Sequence, residues 1–219
     1  MKKGEEKGKS RYSTTEAPIR RKPKEVALTF DDGPDHLWTP RVLDILAQYR
    51  VKATFMCVGQ MAKYNPKILE RIASEGHVIG NHSWDHPYFT KIALSAVLDQ
   101  VERTTEQIDK IIGLKPRLVR PPYGATNEDV NRILKAGGHE IILWDVDSWD
   151  WKGLTRPQVA RNVLGHVGPG SVVLQHCAGT VDDTLKGTVE ALPYIIEVLC
   201  EQKYAFTTIS EMFQLEAYW

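Results

Sequence analysis

Two adjacent aspartates, Asp31 and Asp32, end the apolar run Val26-Ala27-Leu28-Thr29-Phe30 and are followed at once by Gly33-Pro34. Two like charges closing a buried strand oppose each other's ionisation, and a bound cation is the simplest relief. His82 and His86 stand four residues apart, so a helical turn or a tight loop can aim both imidazoles at one point. With Asp32 they make a His/His/carboxylate set suited to zinc or a similar divalent ion (Co2+ or Ni2+) with positions left open. Alone, the His-x-x-x-His spacing is better explained by structural or accidental histidines. The Asp-Asp pair at another strand end is what favours a metal. Such an ion polarises a carbonyl and lowers the pKa of a water to about 7. Asp31, adjacent to a ligand but not itself needed for ligation, is then the candidate general base, with N-capping of the next helix as its alternative role.

His176 ends the apolar run Ser171–Gln175, and Asp147 ends the run before it. A carboxylate bonded to an imidazole fixes its tautomer and raises its pKa, which makes His176 the candidate general acid and Asp147 its partner. A core histidine bonded to a backbone carbonyl is the competing reading. Arg120 is expected to hold Asp31 ionised and oriented, or else to form a purely structural ion pair. Pro121-Pro122 stiffen the turn before Tyr123, whose backbone N–H could stabilise an oxyanion. Trp149, Trp151 and Leu174 can wall a small apolar pocket or offer a face for sugar stacking, although core packing accounts for at least one tryptophan. His36, His77, His139 and His166 fall in loop or helix contexts and are given no catalytic role. Asn81-His82-Ser83 matches a glycosylation sequon, but its place inside the proposed site argues against modification.

These residues need a scaffold that gathers strand ends. Apolar, β-branched runs bounded by turn signals occur at Val26–Phe30, Ala53–Val58, Val78–Gly80, Leu118–Arg120, Glu140–Val146, Ser171–Gln175 and Tyr204–Ile209. Helical patterns lie between them. Val42, Leu43, Leu46 and Tyr49 share one face, as do Ile68, Leu69 and Ile72. A longer stripe runs from Leu94 through Val97, Leu98, Val101 and Ile108 to Ile112, closing at Gly113, and shorter patterns cover 127–136, 156–166 and 189–201. Seven βα units in one domain suit a closed or nearly closed parallel barrel. A doubly wound open sheet is the alternative, although no glycine-rich phosphate loop follows the first strand. In a βα barrel the C-terminal strand ends converge on one face, which is where all five polar clusters fall.

The chain of 219 residues is long enough for one sizeable core, and its 42% apolar and 26% charged content is ordinary for a globular protein. Net charge is zero but uneven. Residues 1–24 carry nine Lys/Arg against three Glu, a net of +6, which leaves −6 on the rest. That stretch reads as a basic, flexible arm ahead of a catalytic domain over 25–219, either a linker or a segment drawn to an anionic wall or membrane surface. No run approaches a transmembrane length, and no signal-peptide core is evident. Cys57, Cys177 and Cys200 lack the number and spacing of a disulfide framework or a cysteine metal site. No nucleic-acid partner is expected, and oligomeric state is left open.

Together the motifs resemble the polysaccharide deacetylase family, carbohydrate esterase family four, over roughly residues 25–215. They appear in order as Thr29-Phe30-Asp31-Asp32-Gly33-Pro34, His82-Ser83-Trp84-Asp85-His86, Arg120-Pro121-Pro122-Tyr123, Asp147-Ser148-Trp149-Asp150-Trp151 and Leu174-Gln175-His176. The resemblance implies a distorted (β/α)7 barrel and metal-dependent removal of an N-acetyl group from an amino sugar. It implies Asp32, His82 and His86 as ligands, Asp31 as base, and His176 as acid tuned by Asp147. Arg120 would orient Asp31, the Tyr123 amide would help hold the oxyanion, and Trp151 and Leu174 would line the acetyl pocket. The expected substrate is a carbohydrate polymer or oligomer, peptidoglycan or chitin. That places the protein outside the cell or at its wall, with a cytoplasmic location left open. Hydrolysis of small cyclic amides or ureides, O-acetyl ester cleavage, and sugar binding without catalysis are the alternatives. One departure is Cys177, where relatives often carry an acidic residue after the histidine.

Overall fold

In the computed structural model, residues 24–179 and 185–219 are described. The expected basic arm therefore lies, apart from Lys24, outside the described residues. Parallel strands alternate with helices: β1 (Glu25–Asp31), α1 (Trp38–Tyr49), β2 (Thr54–Cys57), α2 (Gly59–Tyr64), α3 (Pro66–Ser74), β3 (Val78–Asn81), α4 (Leu94–Ile112), β4 (Leu118–Val119) and α5 (Glu128–Ala136). There follow β5 (Glu140–Ile141), β6 (Val146–Asp147), α6 (Arg156–Leu164), β7 (Ser171–His176), α7 (Lys186–Glu201), β8 (Ala205–Phe206) and α8 (Ile209–Phe213).

The strands run in the order β5-β4-β3-β2-β1-β7-β6, and every pairing is parallel. Its two ends, β5 and β6, are halves of one segment expected from sequence as a single strand over 140–146. The first half pairs β4 and the second pairs β7. The barrel thus closes through a broken stave, and β8 adds only to the N-terminal end of β1. Side chains explain the break. The Arg120 guanidinium donates to the carbonyls of Ile142 (Nε, 3.2 Å) and Leu143 (Nη2, 3.3 Å). Asp145 accepts from the Val172 amide at 2.6 Å and from the Ser171 hydroxyl at 2.9 Å. These side chains take up seam backbone groups that a continuous ladder would otherwise pair.

Strand alternation sorts the two faces. Val26, Leu28 and Phe30 pack outward with Val42, Leu43 and Leu46 of α1 and Ala191, Leu192, Ile195 and Ile196 of α7. Ala27 points inward with Met56, Leu118, Ile142 and Val172, where Ile209, Met212 and Phe213 of α8 join the inner core. By the same period Thr29 and Asp31 follow Ala27 inward, Arg120 follows Leu118, and Leu174 and His176 follow Val172. Gly80 makes room inside, because a Cβ there would lie 2.5 Å from the end of Met56. The α4 stripe holds at Val97, Val101 and Ile108, and Gly113 closes the helix at φ 71. Leu94 and Leu98, however, face solvent. Their place on the helix is filled inward by Gln100 and Thr104, two polar side chains with hydrogen-bonding work to do.

Candidate active site

Register puts the reactive groups level. Asp31 pairs with His176 across β1 and β7, and Cys57 with Asn81 across β2 and β3. Among the described residues, five of the nine positive-φ non-glycine residues sit on these strand-end loops: Asp32 (73°), Ser83 (68°), His86 (65°), Tyr123 (59°) and Trp149 (54°). Left-handed backbone is disfavoured for such residues and collects where function fixes geometry. At Asp32 it turns the chain just after β1, so that consecutive carboxylates meet different partners.

Asp31 is buried, and its Oδ1 accepts from Arg120 Nη1 at 2.6 Å. The same nitrogen donates to the Thr29 hydroxyl at 2.9 Å, so Arg120, with no solvent exposure, is held by Thr29, Asp31 and the seam carbonyls. Helix capping is not the role of Asp31. Asp35 does that, accepting from the amides of Leu37, Trp38 and Thr39.

The histidine pair lies on a loop, not a helix. Asn81 accepts from the Ser83 amide, Ser83 Oγ from the His86 amide, and Gln100 Oε1 of α4 from the amides of Trp84 and Asp85. Asn81 is itself buried and donates to Val101, which removes the sequon from consideration. His82 Nδ1 donates to the Arg120 carbonyl at 2.7 Å, which leaves the Nε2 lone pair facing the site. Burial lowers the His82 pKa despite the neighbouring Asp31 and Asp32, keeping the ring neutral and ligand-ready. Burial also opposes the charge of Asp32, but contact with His86 and the fields of His176 and His82 outweigh it and bring the carboxyl down to about 2.

The three donor atoms converge. His82 Nε2 and His86 Nε2 are 3.1 Å apart, and Asp32 Oδ1 lies 3.5 Å and 3.2 Å from them. Tetrahedral donors 2.0–2.1 Å from one ion stand about 3.3 Å apart, so the triangle fits a divalent cation. Asp32 Oδ1 is covered yet makes no hydrogen bond of ordinary geometry. A covered carboxylate oxygen set beside the His82 lone pair and the His86 Nε2 is what a cation would satisfy. Among the described residues this is the group of three or more such side chains able to hold a metal.

His176 differs from expectation in its partner. Its Nδ1 donates to Asp150 Oδ1 at 2.7 Å, and its backbone N–H donates to Asp150 Oδ2 at 2.8 Å. Asp147, expected in that place, instead accepts from the Trp149 amide at 2.8 Å. The reason lies in the turn: β6 ends at Asp147, so its side chain caps the next loop. Asp150, three residues on and the first residue of a short 3-10 turn, is buried against the ring. Burial opposes protonation of His176, but Asp150, then Asp32 and Asp31, raise it to about 10.

Tyr123 packs against the His86 ring, centroids 4.5 Å apart, and stacks on Tyr88 at 3.8 Å. Trp149 and Trp151 are both half exposed and 5.8 Å apart, so neither belongs to the core. Leu174 is buried at the register of Asp147. Cys177 is buried, with its backbone N–H and thiol both turned to the Asp31 carbonyl, and burial pushes the thiol pKa well up. It is a packed wall residue.

The polysaccharide deacetylase profile matches residues 19–142. The chain belongs to the polysaccharide deacetylase family. A peptidoglycan-N-acetylglucosamine deacetylase of Bacillus cereus is 44% identical over 190 residues, covering 87% of this chain and 68% of that protein. The peptidoglycan-N-acetylmuramic acid deacetylase PdaC of Bacillus subtilis is 38% identical over 189 residues, 86% of this chain. This chain spans 38% of PdaC's length. The solved Bc1960 peptidoglycan N-acetylglucosamine deacetylase superposes with a TM-score of 0.87 at 42% identity, covering 91% of this chain and 92% of that one. The (β/α)7 barrel expected from sequence is therefore the fold, and this polysaccharide deacetylase is a hydrolase. Among the described residues no helix is long and apolar enough to cross a membrane.

Proposed function

We propose that residues 25–219 form a metal-dependent deacetylase domain that removes N-acetyl groups from the amino sugars of peptidoglycan, acting at or outside the cell wall. The observation that carries this reading is the 3.1–3.5 Å triangle of Asp32, His82 and His86 set between an arginine-held aspartate and an aspartate-held histidine. Those three residues would hold the ion, with zinc favoured by the donor set. When bound, a divalent cation supplies polarisation of the acetyl carbonyl and acidification of a water.

The chain's own groups supply the proton traffic. Asp31 Oδ1 is committed to Arg120, which leaves Oδ2 to take the proton of the attacking water. His176 Nδ1 is committed to Asp150, which leaves Nε2 to protonate the departing amine nitrogen. The Tyr123 amide is assigned to the oxyanion, and Trp151 and Leu174 to the acetyl methyl. Trp149 extends the apolar face beside Trp151.

Charge favours peptidoglycan over neutral chitin. Lys152 Nζ lies over the rings of Trp149 (4.0 Å) and Trp151 (5.0 Å), and Lys91 Nζ over that of Tyr88 (4.1 Å). Each ammonium tops an exposed aromatic wall beside the catalytic residues, where carboxylates of a peptidoglycan strand could meet it. The basic arm of residues 1–24 suits the same anionic surface. Acetate and product masses should be measured with purified peptidoglycan, chitin oligomers and small cyclic amides, before and after chelation and zinc addition. Chelator-sensitive loss of acetyl groups from peptidoglycan supports the proposal. Turnover confined to cyclic amides overturns it.

A further inference from the structure

Asp150 has no side-chain exposure, and an ionised carboxylate is an acceptor only. Three donors reach it: His176 Nδ1–H at 2.7 Å on Oδ1, the His176 backbone N–H at 2.8 Å on Oδ2, and the Thr188 hydroxyl at 2.9 Å on Oδ2. Two of these belong to the residue being oriented and move with it. Thr188 comes from another element, the first turn of α7, and is itself buried. A threonine hydroxyl early in a helix ordinarily finds a local backbone partner. Here it must donate across to the carboxylate.

The approach of α7 is set by the preceding residue. A Cβ on Gly187 would lie 1.9 Å from the Leu154 carbonyl oxygen, so only glycine lets the helix come close enough for this bond. Leu154 follows directly on the short turn that carries Asp150, so loop and helix are locked at adjacent points.

We propose that Thr188 is a positioning residue for the Asp150–His176 pair, fixing the rotamer of Asp150 and through it the tautomer and aim of the general acid. The consequence for turnover rests on the deacetylase reading; the geometric role does not. Losing a hydrogen bond to a buried charge corresponds to roughly ten-fold or more. Thr188→Val keeps shape and deletes the donor. It should lower kcat about ten-fold with KM within about twofold, and Thr188→Ser should restore most of the loss.

A structural residue would not move the second readout. The downfield His176 Nδ1–H proton resonance, assigned by its absence in His176→Gln, should shift or broaden in Thr188→Val and return in Thr188→Ser. If the valine variant does not fold, Thr188→Ala, which adds no methyl to rehouse, carries the same test. An unchanged resonance and unchanged kcat in a folded variant overturn the proposal, as does failure of both variants to fold. A wild-type protein inactive on every substrate would contradict the deacetylase reading and leave the resonance test standing.

Discussion

Replacing Asp150 by asparagine removes the charge that holds the His176 proton, the one assigned to the leaving amine in the proposed reaction. His176 stands at about 10 against an ordinary 6.5, which corresponds to ~5 kcal/mol in favour of the imidazolium. The Asp150 side chain has no exposure and that of His176 only 13%, so solvent screening takes little from that figure. The sign follows from linkage: with a raised folded-state pKa, the stabilisation is complete below pH 6.5 and is lost as pH rises through about 10. In Asp150→Asn, burial still opposes the charged ring and only the more distant Asp32 and Asp31 support it. The basic limb of kcat/KM should therefore move down by several pH units, with turnover at pH 8 falling about 10²–10⁴-fold. The asparagine also sets an N–H₂ against a donor, costing about 1–3 kcal/mol of stability. Profiles of rate against pH, with an NMR titration of His176, measure both effects. Asp147→Asn is the control, and its basic limb should stay within about one unit. A large shift in Asp147→Asn with none in Asp150→Asn would refute the assignment.

Two further outcomes are expected. Arg120→Met leaves Asp31 buried without its partner and should cost about 3–5 kcal/mol, read as a lowered denaturation midpoint. A midpoint unchanged within error would show that the pair contributes nothing to folding. The double variant Lys91→Gln/Lys152→Gln should raise KM several-fold for peptidoglycan but not for neutral chitin oligomers, with the difference shrinking at high salt. Equal effects on both substrates would remove charge from the account of specificity.

The regions of β1, β2, β3, β4 and β7 were legible because a parallel barrel buries both strand faces and writes them as continuous apolar runs. The last region, expected over 204–209, forms a strand only at Ala205–Phe206, and Ile209 opens α8. Breaking of the fifth stave was not legible, since it depends on Arg120 and Asp145 satisfying backbone groups from elsewhere in the chain. The Asp31–Arg120 link was legible from two strand ends expected to converge. Choosing between Asp147 and Asp150 required the loop path: Asp147 closes a strand, whereas Asp150 comes after a left-handed Trp149, opens a short 3-10 turn and meets the ring. The Asp147-x-x-Asp150-Trp151 spacing offered a second carboxylate for the same imidazole. Thr188 left no sequence signal beyond its neighbour Gly187, an unexpected glycine in the first turn of an apolar helix.

The central claim is that Asp31 and Asp32, consecutive and alike, do different work. Bound metal per chain and acetate release should be measured together in wild type, Asp31→Asn and Asp32→Asn. The account predicts that Asp31→Asn keeps its ion while turnover falls at least about 10²-fold, and that Asp32→Asn loses both. Loss of the ion in Asp31→Asn, or full activity in fully chelated wild type, would contradict it.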